Sequence, residues 1–179
     1  MTIDELEKCI DIYGKDIYGF CRQITGNPQD GDDLYQDTFM KALELKDKID
    51  MDHNPKSYLL SIAIRLWKNR KRKYAWRQRI AGTEGLVEEI VSDSRSGQIN
   101  ADISPEQQML AQEEREFVQK CIRKLDDRYR VPIYLYYSAE LSVKEIADIL
   151  GLPEGTIKSR LHKARVIIKR KMEVAGYDR

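Results

Sequence analysis

A chain of 179 residues with a formal net charge of +1, 34% charged and 41% hydrophobic residues has room for one ordinary domain or two small ones. That balance excludes a disordered acidic or basic tail as the bulk of the protein. No run of about 18 apolar residues is present to span a membrane, and the opening MTIDELEKC is acidic where a signal peptide is basic and then apolar. A cytoplasmic location is expected.

The first element is marked by Leu6, Cys9, Ile10, Tyr13, Ile17, Phe20, Cys21 and Ile24, spaced by threes and fours as on a helix that buries one face. Gly26-Asn27-Pro28 ends it. A second helix is expected from near Asp30, with Leu34, Thr38, Phe39, Ala42 and Leu45 inward and Asp32, Asp33, Gln36 and Asp37 on its polar side. After the polar loop 47–54, Pro55 opens a third helix, since proline lacks only a donor that the first turn leaves unpaired anyway. Leu59, Ile62, Ala63 and Leu66 share one side of it, but Arg70, Lys73 and Arg77 follow on that same side. Unpaired cations do not enter a core, so this helix is expected to leave the domain body after about Trp67. Its outer part belongs to the stretch IRLWKNRKRKYAWRQR (Ile64 to Arg79), which holds no acid and carries two tryptophans and a tyrosine. On the helical wheel Arg65, Asn69, Arg72 and Trp76 form one outer face.

Residues 82–104, GTEGLVEEIVSDSRSGQINADIS, show no sustained period and carry five acids against one cation, the mark of a flexible acidic linker. A second helical unit opens at Ser104-Pro105-Glu106 and runs along Leu110, Phe117, Cys121 and Leu125, followed by a short helix with Val131, Ile133, Tyr134 and Tyr137. Ser142-Val143-Lys144-Glu145 is a capping box, Ile146, Ala147 and Leu150 form a buried face, and Gly151-Leu152-Pro153 supplies a stop, a plug and a new start. The last helix places Ile157, Leu161, Ala164 and Ile168 inward and Lys158, Ser159, His162, Lys163 and Lys169 outward. Two helices joined by a tight glycine-containing turn, the second rich in cations, form a helix-turn-helix. A plain helical hairpin with a solvated charged face is the competing reading.

Little points to catalysis or metal binding. Cys9, Cys21 and Cys121 lack ligand spacing and read as small core hydrophobes. His53 and His162 have no nucleophile or carboxylate arranged around them, and neither GxGxxG nor GxxxxGK[ST] occurs. An enzyme is not expected, nor a cofactor, a metal or a small-molecule substrate.

LSVKEIADILGLPEGTIKSRLHKAR (Leu141 to Arg165) resembles the region 4 helix-turn-helix of the extracytoplasmic-function (ECF) sigma factors of bacterial RNA polymerase. DGDDLYQDTFMKALE (Asp30 to Glu44) resembles their region 2.2, and SYLLSIAIRLWKNRKRK (Ser57 to Lys73) their regions 2.3 and 2.4. The resemblance implies an all-α protein of two small helical domains on a flexible acidic linker: region 2 over 1–80, linker over 81–104, region 4 over 105–179. It also implies an alternative sigma factor that binds core RNA polymerase and directs it to promoters by −35 duplex recognition and −10 recognition and melting. For −35 contacts it nominates Gly155, Thr156, Lys158, Ser159, Arg160, His162 and Lys163. For the −10 element it nominates Asn69, and with the basic face and the loop before it come Lys56, Arg65, Arg72 and Trp76. For polymerase, through the β′ coiled coil and with the β subunit as a further partner, it nominates Asp33, Gln36, Asp37, Phe39 and Lys41, with Asp32 and Leu34 nearby. An anti-sigma factor, often membrane-bound in the family, is an implied partner. With no domain after the last helix, no appended sensing module is expected.

Two rivals stand beside this reading. A helix-turn-helix activator or repressor would bind duplex DNA as a dimer without core polymerase. A membrane-surface module needs a continuous apolar face opposite the cations, and the apolar stripe of the third helix stops at Leu66 to Trp67.

Overall fold

The computed structural model describes residues 2–46, 54–81 and 105–177. They form seven helices: α1 (Ile3–Thr25), α2 (Pro28–Glu44), α3 (Pro55–Ala81), α4 (Pro105–Arg123), α5 (Asp127–Tyr137), α6 (Val143–Leu150) and α7 (Glu154–Val174). The expected linker lies almost wholly outside the described residues, as do residues 47–53 of the expected polar loop.

Local chemistry sets the helix ends. Thr2 and Glu5 make a reciprocal capping box at the start of α1, and Gly26 ends that helix in the left-handed region at φ 73°. The second helix starts two residues before the expected Asp30, because the Asn27 side chain accepts from the Gln29 and Asp30 N–H groups and Pro28 fits the first helical position. Ser142 and Glu145 form the expected capping box on α6, and Gly151 closes it at φ 63°. A cap of this kind contributes about 1 kcal/mol.

α1, α2 and α3 pack together, and α4 to α7 pack around the hairpin of α6 and α7. Gly31 permits the close approach of α1 and α2, since a Cβ there would stand 2.8 Å from the Arg22 Cα. The expected stripe of α1 is buried except at Tyr13, which is half-buried, and Ile10, which is exposed; Gly14 takes the inward place beside it, under the Tyr35 hydroxyl. In the second half, Leu110 (53% exposed) and Tyr137 (56% exposed) also lie outside the core, contrary to expectation. Leu110 is on the exposed N-terminal part of α4, and Tyr137 at the end of α5 holds Arg165 of α7 through its hydroxyl at 2.8 Å. The cysteines are buried, and burial pushes the Cys21 thiol up to about 12, which suits a core side chain.

The largest departure from the sequence reading is in α3. Besides Leu59, Ile62 and Ala63, it buries Leu60, Ile64 and Trp67, a second stripe spaced by four and three. One side of α3 meets α1 and α2, and it also packs on α6. The helix does leave the body, but one turn later than expected: Arg70 is held against α2 by Asp37 at 2.5 Å and by the Asp30 carbonyl at 3.5 Å. Past Arg70, residues 71–77 are exposed. At 1.5 Å per residue the whole helix is about 40 Å long.

Candidate nucleic-acid interface

The helix-turn-helix is built by α6 and α7. Ile146 and Ala147 of α6 meet the buried row Ile157, Leu161 and Ala164 of α7, and this leaves Lys158, Ser159, His162 and Lys163 exposed on the other side. Gly155 is exposed, and a Cβ there would meet nothing within 4 Å. Thr156 and Arg160 are half-buried. The structure therefore brings all seven residues nominated for duplex contact onto the first turns of one helix. Their cations have few strong partners: Lys158 lies 4.0 Å from Glu154 on its own helix, and the Lys163 ammonium is 5.8 Å from the centre of the Tyr129 ring. Ser159 donates to the Thr156 carbonyl at 2.9 Å. Behind them Arg165 stacks between Tyr136 and Tyr137, with its guanidinium 5.7 Å from each ring centre, which ties α7 to α5.

The second basic face is on α3. Arg65, Asn69 and Arg72 line one cleft of about 640 Å³ together with Lys68 and Lys71. Arg72 donates to the Asn69 side-chain oxygen at 2.6 Å, which engages the amide oxygen and leaves the NH2 group as a donor. Trp76 is 63% exposed one turn beyond, a flat surface with cations around it. Such a combination suits single-stranded nucleic acid, because cations follow the backbone and rings stack on bases. Lys56 does not join this face. It lies at the other end of α3, about 20 Å along the helix, where its ammonium pairs with Asp16 of α1 at 2.6 Å and its side chain is 15% exposed.

A third surface is acidic and lies on α2. Asp33, Gln36 and Asp37 are exposed. Asp32 is half-buried and accepts from the Tyr18 hydroxyl at 2.9 Å, which in turn accepts from Arg22 at 3.0 Å. Lys41 pairs with Glu44 at 2.6 Å. Two nominated residues are corrected: Leu34 is 0% exposed and Phe39 nearly buried, so they support the helix from beneath and offer no surface to a partner. Met40 is exposed and continues the row Asp33, Gln36, Asp37 at helical spacing, a position not singled out in the sequence although the three-four rule finds it as readily as the acids.

Comparison with known proteins shows which family the chain belongs to. Sigma-70 region 2 matches residues 9–77, and Sigma-70 region 4 matches residues 115–168. The chain is 34% identical over 175 residues to the ECF RNA polymerase sigma factor SigW of Bacillus subtilis (strain 168), covering 94% of this chain and 89% of that protein. The chain belongs to the ECF sigma factors. A second relative, the ECF sigma factor SigM of the same organism, is 31% identical over 173 residues, covering 94% of each chain. Among solved structures the fold is similar to that of the sigma factor RpoE in complex with the anti-sigma factor NepR from Bartonella quintana, with TM-score 0.78, 21% identity, and coverage of 99% of this chain and 100% of that one. It is also similar to CnrH in complex with the cytosolic domain of CnrY, with TM-score 0.64, 20% identity, and coverage of 97% and 90%.

This ECF sigma factor is thus an alternative sigma factor that directs RNA polymerase in transcription initiation. Its family consists of DNA-binding initiation factors rather than enzymes. Among the described residues no helix is long and apolar enough to cross a membrane, and no group of three or more His, Cys, Asp or Glu side chains is placed to hold a metal.

Proposed function

We propose that the three surfaces divide the work of initiation. The face of α7 from Gly155 to Lys163 reads the −35 element as duplex in the major groove. Thr156 and Ser159 bond phosphates or base edges there, while Arg160, Lys158, His162 and Lys163 reach phosphates or guanine edges. The face of α3 formed by Arg65, Asn69, Arg72 and Trp76 captures the opened −10 strand. Each stacked base is worth about 1–3 kcal/mol, against a cost of a few kcal/mol for unstacking a flipped one. Asp33, Gln36, Asp37, Met40 and Lys41 of α2 dock on core polymerase at the β′ coiled coil.

The observation that carries this reading is the separation of the three kinds of surface. Exposed cations stand on one helix-turn-helix, cations with a flat ring and an amide on one projecting helix, and acids with a methionine on a third helix. The assigned ranges are region 2 over 1–80, a linker over 81–104 and region 4 over 105–179, with the protein in the cytoplasm and without catalytic activity of its own. An anti-sigma factor that covers region 2 and region 4 is a further proposed partner, by analogy with the complexes of RpoE and CnrH.

Transcription in vitro with core polymerase, followed by mapping of start sites, tests the whole. Initiation from promoters sharing −35 and −10 sequences is expected, and specific duplex binding without any complex with core polymerase would return the chain to the ordinary regulators.

A further inference from the structure

The outer end of α3 carries apolar side chains that its packing does not use. Trp76 and Ile80 stand one turn apart, 63% and 66% exposed, in a part of the helix that is otherwise mostly cationic. Neither prolongs the buried row. At about 100° per residue both fall within about 20° of Asn69, whereas Trp67 lies about 160° away on the buried side. Single exposed apolar residues are ordinary. Here two share one face, and that face is continuous with the one assigned to the −10 strand.

The cations beside Ile80 are ordered as well. Arg77 lies about 60° to one side of it and Arg79 about 100° to the other, and both are exposed. Among the described residues the ion pairs of α3 run from Lys56 to Lys71 and include neither arginine. The helix ends, then, in an apolar centre between two cationic flanks, and it contains no acid. A groove of duplex DNA is the complement of that order. It has phosphates on two walls and base edges between them, and in the major groove those edges include the thymine methyl group. That groove, about 12 Å wide, admits a helix about 10–12 Å in diameter. A single strand has one backbone and leaves one of the two arginines without a phosphate.

Helix length sets the register. From Asn69 to Ile80 is about 16 Å at 1.5 Å per residue, or about five base steps of 3.4 Å. The chain runs on from α3 toward the helix-turn-helix assigned to the −35 element, so these steps are counted on the −35 side. We propose that Arg77, Arg79 and Ile80 form a further promoter contact on the closed duplex between the two elements, about five base pairs from the base held at Asn69, with Ile80 favouring a thymine there. Trp76 stands between the two contacts as the last ring of the strand-holding face.

The inference rests on the −10 assignment for its register, and the duplex contact is read separately from it. The full chain bound to core polymerase is titrated with two templates lacking a −35 element: the opened −10 strand alone, and the same strand with about ten base pairs of duplex added on its −35 side, twice the reach estimated for Ile80. The added duplex is expected to tighten binding several-fold. On that template Arg77→Ala and Arg79→Ala should each lower the slope of log affinity against log salt by about 1. Ile80→Ala should weaken binding several-fold with the slope unchanged. On the lone strand all three should match the unaltered chain. Moving one A·T pair along the added duplex should reveal one preferred position, lost when deoxyuridine replaces thymidine, which removes only the methyl group, and lost again in Ile80→Ala. Equal losses on the two templates, or none with the added duplex, overturn the contact, and the absence of a preferred position overturns the role of Ile80. Unchanged helicity and unfolding temperature exclude misfolding as the cause of any loss. Asn69→Ala binding both templates normally would remove the −10 assignment and the register counted from it, while the difference between the templates would still decide the duplex contact.

Discussion

Two helices of this protein carry most of the charge expected to meet DNA, and they hold it differently. On α7 the nominated cations stand on the face opposite one buried row, and the acid near Lys158 is on the same helix. On α3 three cations are bound by acids of three other helices: Lys56 by Asp16 of α1, Arg70 by Asp37 of α2 and Lys71 by Asp127 of α5. The first helix offers its charge, and the second has three of its nine cations engaged. A count of lysine and arginine does not distinguish the two, because an ion pair depends on what the fold brings opposite each cation. One of these acids, Asp37, also lies on the surface assigned to polymerase, so docking there competes directly with the hold on Arg70.

The comparison is most strongly tested inside α3. Trp67→Ala should destabilise the protein by about 3–5 kcal/mol, the usual cost of removing a buried large aromatic side chain, whereas Trp76→Ala should change stability by no more than about 0.5 kcal/mol; thermal or denaturant unfolding reads both. Equal losses would mean that the two halves of α3 do not differ as described. Next comes Asn69→Ala, for which a loss of about 1–3 kcal/mol in promoter opening is expected, the scale of one good base contact, with core-polymerase binding retained. Permanganate footprinting for the first and a binding titration for the second separate the two. An equal loss in both would indicate misfolding.

On α7, Arg160→Ala or Lys163→Ala should weaken −35 duplex binding and lower the slope of log affinity against log salt by about 1 each. An unchanged slope removes that residue from the phosphate contacts. The smallest effect is expected from pH. The Ser142 hydroxyl donating to Glu145 holds its carboxyl below the usual carboxylate range, with the Ser142 N–H, the Asn54 amide and the Lys56 charge acting the same way and partial burial opposing them. A depressed pKa contributes stability above the unfolded carboxylate range and loses it as pH falls through the folded value. The α6 cap and its link to α3 should therefore be insensitive between about pH 6 and 8 and weaken only in acid below the ordinary carboxylate range, as amide exchange at the start of α6 would show. Weakening near neutral pH would mean that another group controls the contact.

How much was legible varies with how local the cause is. The capping box at Ser142, the glycine stops at Gly26 and Gly151 and the proline start at Pro55 are legible because they act within about one helical turn, whereas the equally local box at Thr2 went unread and Pro28, taken as the end of the first helix, starts the second. The rows Cys9, Ile17, Ile24 and Ile157, Leu161, Ala164 are legible because burial on one side imposes a helical period. Ile10, Leu110 and Tyr137 misled because an apolar residue beside a stripe is equally consistent with its edge and with solvent. Phe39 and Leu34 misled in the other sense: they lie within the motif of a partner-binding helix but serve its underside.

The sequence by itself determined the helices, their caps, the helix-turn-helix, and the charge of each outward face, since each follows from residues within a few turns of one another. Only the tertiary structure decided that α3 buries a second row at Leu60, Ile64 and Trp67, and that Lys71 meets Asp127 across 56 residues of chain. The period of a single helix shows that a face is apolar or basic, but what lies against it is set by the packing of helices distant in sequence. In this sigma factor that packing places region 4 over a basic face which the sequence alone presents as open to DNA.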